Sequence, residues 1–136
     1  MLVRLELGQN ANLQVYLTGS QSEFIALCRK IVGTFYTRGM AKIVDIKPSS
    51  AYTDIIADID TPKWQDTEIF RFFRTTGITG EIFVREFHDA LRDRKAGRGT
   101  CITSGSFSEE AIKFTEGRPV DRVERASLIK ILKKIN

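Results

Sequence analysis

The segment "AGRGTCITSGSFSEEAIKFTEGRPVDRVERASLIKIL", from Ala96 to Leu132, decides the fold because strand-like and helix-like patterns alternate along it. The run "TCIT" is typical of a short buried strand. Ser108 is a hydroxyl N-cap before "EEAIKF", a predicted helix with two carboxylates in its first turn. "RPVDRV" predicts another strand, and "RASLIKILKKI" predicts a terminal helix. Strands that alternate with helices pair in parallel through right-handed crossovers, so this segment predicts an α/β fold.

Upstream of this segment, three apolar runs are separated by the turn-forming sequences "PSSAY" and "TPKWQD". They predict strands over residues 41–47, 53–60 and 68–75. A helix is predicted from about Ile82 to Lys95, because Phe83, Phe87 and Leu91 recur at helical spacing along one face. Together with the parallel strands downstream, these runs predict a central mixed sheet flanked by helices.

The N-terminal third is interpreted as a β-hairpin followed by a helix. Apolar residues alternate on both sides of "GQNAN", over residues 3–7 and 13–17, which is the pattern of two short strands joined by a turn. Ser20 is a predicted N-cap, and Glu23 three residues later completes a capping box. The amphipathic helix that follows is expected to end near Gly33.

Composition predicts a single domain over residues 1–136, which could also be one part of a longer protein. The chain has 136 residues, of which 42% are hydrophobic, enough for one compact core. No apolar run approaches the roughly 20 residues of a membrane-spanning helix, and the N-terminus lacks the layout of a signal peptide. We therefore expect no membrane association and a cytoplasmic location. Cys28 and Cys101 are expected to be buried, reduced thiols.

The positive charge is concentrated in the C-terminal part of the chain. Residues 1–84 hold 9 Lys or Arg against 9 Asp or Glu, whereas residues 85–136 hold 12 against 8, which accounts for the net charge of +4. A basic half-domain is compatible with a polyanionic partner such as DNA, although an excess this small also suits an ordinary solvated surface.

The segment from Ala96 to Leu132 resembles the C-terminal part of Mrr-type restriction endonucleases, a branch of the PD-(D/E)xK nuclease superfamily. The matching features are a glycine before a strand, a strand that ends in hydroxyl residues, an aromatic–hydroxyl pair, an alanine three residues later, and a leucine on the last helix. In this sequence they are Gly99, Thr103, Ser104, Phe107, Ser108, Ala111 and Leu128. The resemblance implies a restriction endonuclease-like fold and, in active members, Mg²⁺-assisted hydrolysis of a phosphodiester.

The same resemblance places the active site on the predicted strands upstream. The first metal-binding aspartate falls on Asp54, and the next strand is expected to read acidic or Gln, any residue, Lys. At that place the sequence has Arg71-Phe72-Phe73, so a cation replaces the second metal ligand and an aromatic ring replaces the lysine. Because an arginine repels a divalent cation, we expect the domain to be a degenerate nuclease that uses no metal cofactor.

Three functions remain open. The favoured one is DNA binding without catalysis. Its candidate contacts are the arginines of the third strand, the hydroxyls before the Ser108 helix and the basic face of the last helix: Arg71, Arg74, Thr103, Ser104, Lys130, Lys133 and Lys134. The second is an active Mg²⁺-dependent endonuclease that uses Asp54 and Glu68, with Asp54 holding the metal. The third is a protein interaction domain, whose partner could be a second copy of the chain or other domains of a longer protein.

Overall fold

The computed structural model describes residues 10–37 and 39–135, and the elements below lie in these ranges. In chain order they are α1 (Ala11–Thr18), α2 (Gln21–Gly33), β1 (Ala41–Pro48), β2 (Thr53–Asp60), β3 (Gln65–Phe73), β4 (Ile78–Thr79), α3 (Glu81–Asp93), β5 (Arg98–Thr103), β6 (Ser106–Phe107), α4 (Glu109–Thr115), β7 (Val120–Val123) and α5 (Arg125–Lys134). No helix within these ranges is both long enough and apolar enough to cross a bilayer.

A mixed five-stranded sheet forms the centre of the fold, with strand order β1-β2-β3-β5-β7. β1, β2 and β3 are antiparallel neighbours connected by short turns. β3, β5 and β7 are parallel neighbours, and the chain between them forms helices that connect one strand to the next. The predicted mixed sheet and the parallel pairing of the second half are confirmed. β4 and β6 form a separate two-stranded parallel sheet.

Helices cover both faces of the central sheet and create two cores. On the first face α1, α2 and α5 pack against Ile55, Phe70, Phe72 and Ile102. On the second face α3 and α4 pack against a second group of sheet residues, namely Ile56, Ile69, Phe73, Cys101 and Val120. Strand residues alternate between these faces, so the parity of a residue number decides which core a side chain enters. Both cysteines are buried and free, as predicted.

The predicted N-terminal hairpin is wrong over residues 13–17, which belong to helix α1; residues 3–7 lie outside the described ranges. The Asn10 side chain caps this helix by accepting a hydrogen bond from the Leu13 amide at 3.2 Å. Leu13 and Tyr16 are fully buried, three residues apart, which is helical spacing. Apolar residues in this segment fit both strand alternation and helical spacing. The alternation of Leu13, Val15 and Leu17 led to the prediction of a strand.

The second helix begins as the sequence predicts. Ser20 accepts a hydrogen bond from the Glu23 amide, and the Glu23 carboxylate accepts one from the Ser20 amide, so both halves of the capping box are formed.

Gly99 lies where α3 packs on β5. A Cβ at this position would lie 2.4 Å from Phe87 and 2.6 Å from Leu91. Only glycine therefore allows α3 to approach β5 this closely.

Candidate functional site

Asp54 and Arg71 face each other on adjacent strands of the second sheet face. They are direct partners in the antiparallel β2–β3 register. Arg71 Nε donates to Asp54 Oδ1 and Arg71 Nη2 donates to Asp54 Oδ2, each at 2.8 Å, which makes the pair bidentate. Arg71 is 4% exposed and Asp54 is 8% exposed. Both carboxylate oxygens of the predicted metal-binding aspartate are thus engaged by a buried guanidinium.

Aromatic rings hold the Arg71 guanidinium in place. Its central carbon lies 3.7 Å from the centroid of Tyr52 and 5.1 Å from that of Phe87. Burial acts to lower the pKa of Arg71, but the hydrogen bonds and the charge of Asp54 outweigh burial and raise this pKa above its ordinary value. Arg71 therefore remains a cation inside the protein, and it neutralises the Asp54 carboxylate.

Phe73, which the sequence resemblance aligns with the lysine of active family members, lies on the same sheet face as Arg71. It is buried, and its ring makes edge contacts with Tyr52 and Phe83, both at 5.9 Å between centroids. Its carbonyl accepts a hydrogen bond from the Tyr16 hydroxyl at 2.9 Å. The side chain contributes packing and offers neither a proton nor a charge.

Glu68 lies on the opposite face of the sheet from Asp54. It pairs with Ala57 in the β2–β3 register, and Ala57 belongs to the first core. Its carboxylate accepts a hydrogen bond from the Tyr36 hydroxyl. Burial raises the pKa of Glu68, although the hydrogen bond from Tyr36 opposes this effect. The predicted combination of Asp54 with Glu68 in one catalytic site is therefore corrected, because strand alternation places the two carboxylates on opposite sides of the sheet.

Arg74 is the second arginine predicted to contact DNA. In the structure its guanidinium binds backbone carbonyls at the end of helix α1. Arg74 Nε donates to the Tyr16 carbonyl at 2.6 Å, and Nη2 donates to the carbonyls of Val15 and Gly19, at the C-terminal end of α1. The guanidinium also lies over the Phe24 ring at 4.5 Å. Arg71 and Arg74 do not converge on one site, since i and i+3 positions of a strand point to opposite faces.

Thr103 and Ser104 are fully buried and hydrogen-bonded within the protein. Thr103 Oγ1 accepts a hydrogen bond from the Gly105 amide, while Ser104 Oγ bonds both the amide and the carbonyl of Thr75. Ser108 caps α4 by accepting from the Ala111 amide at 3.1 Å. The predicted role of Thr103 and Ser104 in phosphate contact is corrected, because their hydroxyls tie the end of β5 to neighbouring loops and do not reach the surface.

The three lysines of the last helix are exposed, as predicted. Lys130, Lys133 and Lys134 lie on the solvent side of α5, whose apolar side carries the fully buried Leu128 and Leu132. This helix packs on the first sheet face. The lysines are therefore separated from the Asp54–Arg71 pair by the thickness of the sheet.

Two further aspartates share the sheet face of Asp54. Asp58 and Asp60 are exposed at the other end of β2, beside an open groove that Asp66 also lines. Within residues 10–37 and 39–135, no group of three or more His, Cys, Asp or Glu side chains is arranged to hold a metal ion.

The sequence interpretation missed the direct pairing of Asp54 with Arg71, although a signal for it was present. The "TPKWQD" turn brings Asp60 opposite Gln65, and counting six residues outward along each strand from this pair leads to Asp54 and Arg71. A tight turn fixes the register of an antiparallel pair, so this count identifies the two partners.

Comparison with solved structures defines the class of fold. The chain is similar to the DNA modification-dependent restriction endonuclease AspBHI, with 12% identity, a TM-score of 0.59, and coverage of 91% of this chain and 34% of that chain. It is also similar to the restriction endonuclease MspJI in complex with a 27-mer oligonucleotide, with 17% identity, a TM-score of 0.54, and coverage of 89% and 30%. The apo form of EndoMS gives 14% identity, a TM-score of 0.51, and coverage of 77% and 46%. The fold is therefore restriction endonuclease-like, and the chain spans between 30% and 46% of the length of these proteins.

The sequence itself matches the restriction endonuclease family model of the Mrr type over residues 20–132. This chain belongs to the Mrr-type restriction endonuclease family. A comparison with curated protein sequences finds no significant match.

Proposed function

We propose that this chain is a DNA-binding domain of the Mrr-type family that does not cleave DNA. The observation that carries the proposal is the buried, bidentate ion pair between Arg71 and Asp54. DNA is supported as the partner by the basic C-terminal part of the chain and by the family. It is also supported by two structural neighbours, one described as DNA modification-dependent and the other bound to an oligonucleotide.

The residues around Asp54 do not fit a divalent metal ion. Mg²⁺ requires oxygen ligands in near-octahedral geometry, and both oxygens of Asp54 already accept hydrogen bonds from Arg71. A divalent cation about 4 Å from this guanidinium would be repelled by roughly 8 kcal/mol at an effective dielectric constant near 20, twice the value for two unit charges. Phe73 supplies no ligand. We therefore assign no metal cofactor to the proposed function.

The proposed DNA-binding surface is the solvent side of α5, with Lys130, Lys133 and Lys134. These ammonium groups are exposed and lie within two turns of one helix, a spacing that suits contacts with successive phosphates. Binding of this kind depends on the charge of the DNA backbone and carries no sequence information by itself.

Nicking of supercoiled plasmid tests the absence of catalysis. The purified chain is incubated with Mg²⁺ or Mn²⁺ beside an Asp54→Ala variant, which controls for a contaminating nuclease. The proposal expects no cleavage by either protein. Metal-dependent cleavage that disappears in Asp54→Ala would overturn it and would establish the alternative, an active endonuclease.

The salt dependence of DNA affinity tests the binding surface. The logarithm of the association constant is expected to fall linearly with the logarithm of salt concentration, because phosphate contacts release counterions. Replacing Lys130, Lys133 and Lys134 with Gln should reduce this slope by up to about 2.7, from roughly 0.9 per phosphate contact. Lys42, Lys63 and Lys113 are exposed lysines outside α5, and their triple Gln variant is the matched control. An equal loss of slope in both variants would contradict the assignment to α5.

A second candidate function is protein interaction, and an exposed apolar patch favours it. Ile78 is 73% exposed and Ile82 is 70% exposed, and they lie with Phe83 where β4 leads into α3. Failure to bind DNA at low salt would favour this function. Pull-down with Ile82→Asp as the non-binding control then tests it directly.

A further inference from the structure

A cavity of about 340 Å³ opens on the first sheet face, near the amino ends of the parallel strands. Its walls are of two kinds, aromatic and charged. The residues that matter here are Phe35, Tyr36, Trp64, Glu68, Arg98 and Asp121. This volume is at the lower end of the range of roughly 300–1,000 Å³ for small-molecule sites. The cavity therefore suits a small ligand.

The sheet register brings the charged residues of the cavity together. Glu68 of β3 is the direct partner of Arg98 of β5, and Thr100 of β5 is the direct partner of Asp121 of β7. All of these positions have the parity of the first face, which lies opposite the Asp54–Arg71 pair. Two carboxylates and one guanidinium on this face therefore surround the same space, from three separate strands, and Arg122 of β7 also lines the cavity.

One oxygen of Glu68 is available to a ligand. Glu68 is 2% exposed, and its Oε1 accepts a hydrogen bond from Tyr36. Its Oε2 receives no hydrogen bond within the described residues, where no side-chain oxygen that is sealed from solvent lacks a partner. Oε2 is therefore not sealed from solvent, and because Glu68 lines this cavity, Oε2 is the hydrogen-bond acceptor that Glu68 offers to a ligand there. At the mouth, Arg98 and Asp121 are exposed, and neither forms an ion pair within the described part of the chain.

Aromatic rings flank this acceptor. The rings of Tyr36 and Trp64 meet edge to face, with centroids 6.4 Å apart, and Phe35 lines the cavity beside them. Trp64 is 42% exposed, so a large part of its ring is accessible to a ligand. Exposed aromatic faces beside polar groups are the features with which proteins stack and read unpaired bases.

We propose that this cavity binds a single unpaired guanine base. The Watson–Crick edge of guanine presents two adjacent donors, the N2 amine and N1–H, followed by the O6 carbonyl acceptor. Glu68 Oε2 and Asp121 would accept from the two donors, and Arg98 would donate to O6. Trp64 would stack on the base. Adenine and cytosine lack the two adjacent donors, and uracil places carbonyls on both sides of its single N–H.

The inference does not depend on the proposed DNA-binding function, because its residues lie apart from Lys130, Lys133 and Lys134. Guanine binding and duplex binding can therefore fail separately, and their failures are distinguishable.

Tryptophan fluorescence tests the inference directly, because Trp64 is the single tryptophan of the chain. The protein is titrated with GMP, AMP, CMP, UMP and ribose 5-phosphate. We expect GMP to quench Trp64 in a saturable manner, with an affinity about tenfold or more above the other three nucleotides. Ribose 5-phosphate should leave the emission unchanged. Equal quenching by all four nucleotides, quenching by ribose 5-phosphate, or no saturable quenching by GMP would overturn the inference.

Variants identify the contacts. Glu68→Gln and Arg98→Gln should each weaken GMP binding about tenfold. Arg98 is exposed, so Arg98→Gln keeps the test decisive if loss of the buried Glu68 carboxylate prevents folding. Arg92→Gln, an exposed arginine on α3 beyond the other face of the sheet, is the matched control and should leave GMP affinity unchanged. Unaltered GMP affinity in Arg98→Gln would contradict the proposed reading of O6.

Discussion

Replacing Arg71 with methionine should destabilise the protein strongly, although methionine suits a buried position. The change leaves the Asp54 carboxylate buried without the two 2.8 Å hydrogen bonds that satisfy it. Breaking a buried ion pair by removing one partner costs about 3–5 kcal/mol, whereas an exposed pair contributes about 0–1 kcal/mol. Since Arg71 is 4% exposed and also stacks on Tyr52, we expect the loss of stability to match that of a buried ion pair, about 3–5 kcal/mol.

The double variant Asp54→Leu/Arg71→Met separates the charge of the pair from its packing. Two apolar side chains leave no uncompensated charge, and such replacements are often neutral or stabilising. The double variant should therefore lose less stability than either single variant. Urea unfolding at neutral pH, followed by Trp64 fluorescence and far-ultraviolet circular dichroism, gives the free energies of unfolding if the slopes stay constant.

Arg85→Met is the matched control for this cycle, because Arg85 pairs with Glu81 along α3 and its side chain is 56% exposed. It should change the free energy of unfolding by about 0.5 kcal/mol or less. A loss of less than about 1 kcal/mol in Arg71→Met would refute the reasoning, as would a double variant whose loss equals the sum of the two singles.

Three further changes test other parts of the molecule. Since burial raises the pKa of Glu68, the wild type should lose stability as pH rises through that pKa, whereas Glu68→Gln should lack this loss. Urea unfolding at about pH 4, 5, 6 and 7 measures both curves, and parallel curves would contradict the prediction. Gly99→Ala should cost about 1–3 kcal/mol, because its Cβ would lie 2.4 Å from Phe87; a neutral effect on the urea midpoint would show that α3 can shift. Arg71→Glu/Phe73→Lys should make the melting temperature rise with Mg²⁺, because metal binding to the native state would offset the repulsion between adjacent carboxylates; an equal response in the wild type would contradict this reasoning.

The second half of the fold could be predicted because its local signals agree with one another. Ser108 caps α4, apolar residues of α5 recur at helical spacing, and the intervening strand is short and apolar at both ends. At the N-terminus, the apolar residues between positions 13 and 17 fit both strand alternation and helical spacing. The choice of helix depends on the Asn10 cap and on the packing of Leu13 and Tyr16 in a core built from distant segments, which local pattern does not reveal.

Some residues of the candidate site could be identified from the sequence, but the contacts that they make could not. The resemblance to the Mrr-type family drew attention to Asp54, Arg71 and Phe73, but the combination of Asp54 with Glu68 overlooked the alternation of side chains along the strands. The sequence did not reveal that Arg74 closes the end of α1 or that Thr103 and Ser104 are sealed in a core. The cavity could not be predicted from the sequence for a similar reason, since Tyr36, Glu68 and Asp121 come together only through tertiary packing and the parallel register.

The Arg71–Asp54 pair explains how the buried Asp54 carboxylate is held in this fold without a metal ion. A buried carboxylate requires a compensating cation, and in the proposed function the guanidinium supplies the charge that a metal would otherwise bring. The replacement also supplies two directed hydrogen bonds across the β2–β3 register, so the strands keep their alignment at this point. Because each partner compensates the other, replacing either one alone leaves a buried charge unpaired. A metal site beside Asp54 would therefore require an acidic residue at position 71 together with the metal that offsets its repulsion from Asp54.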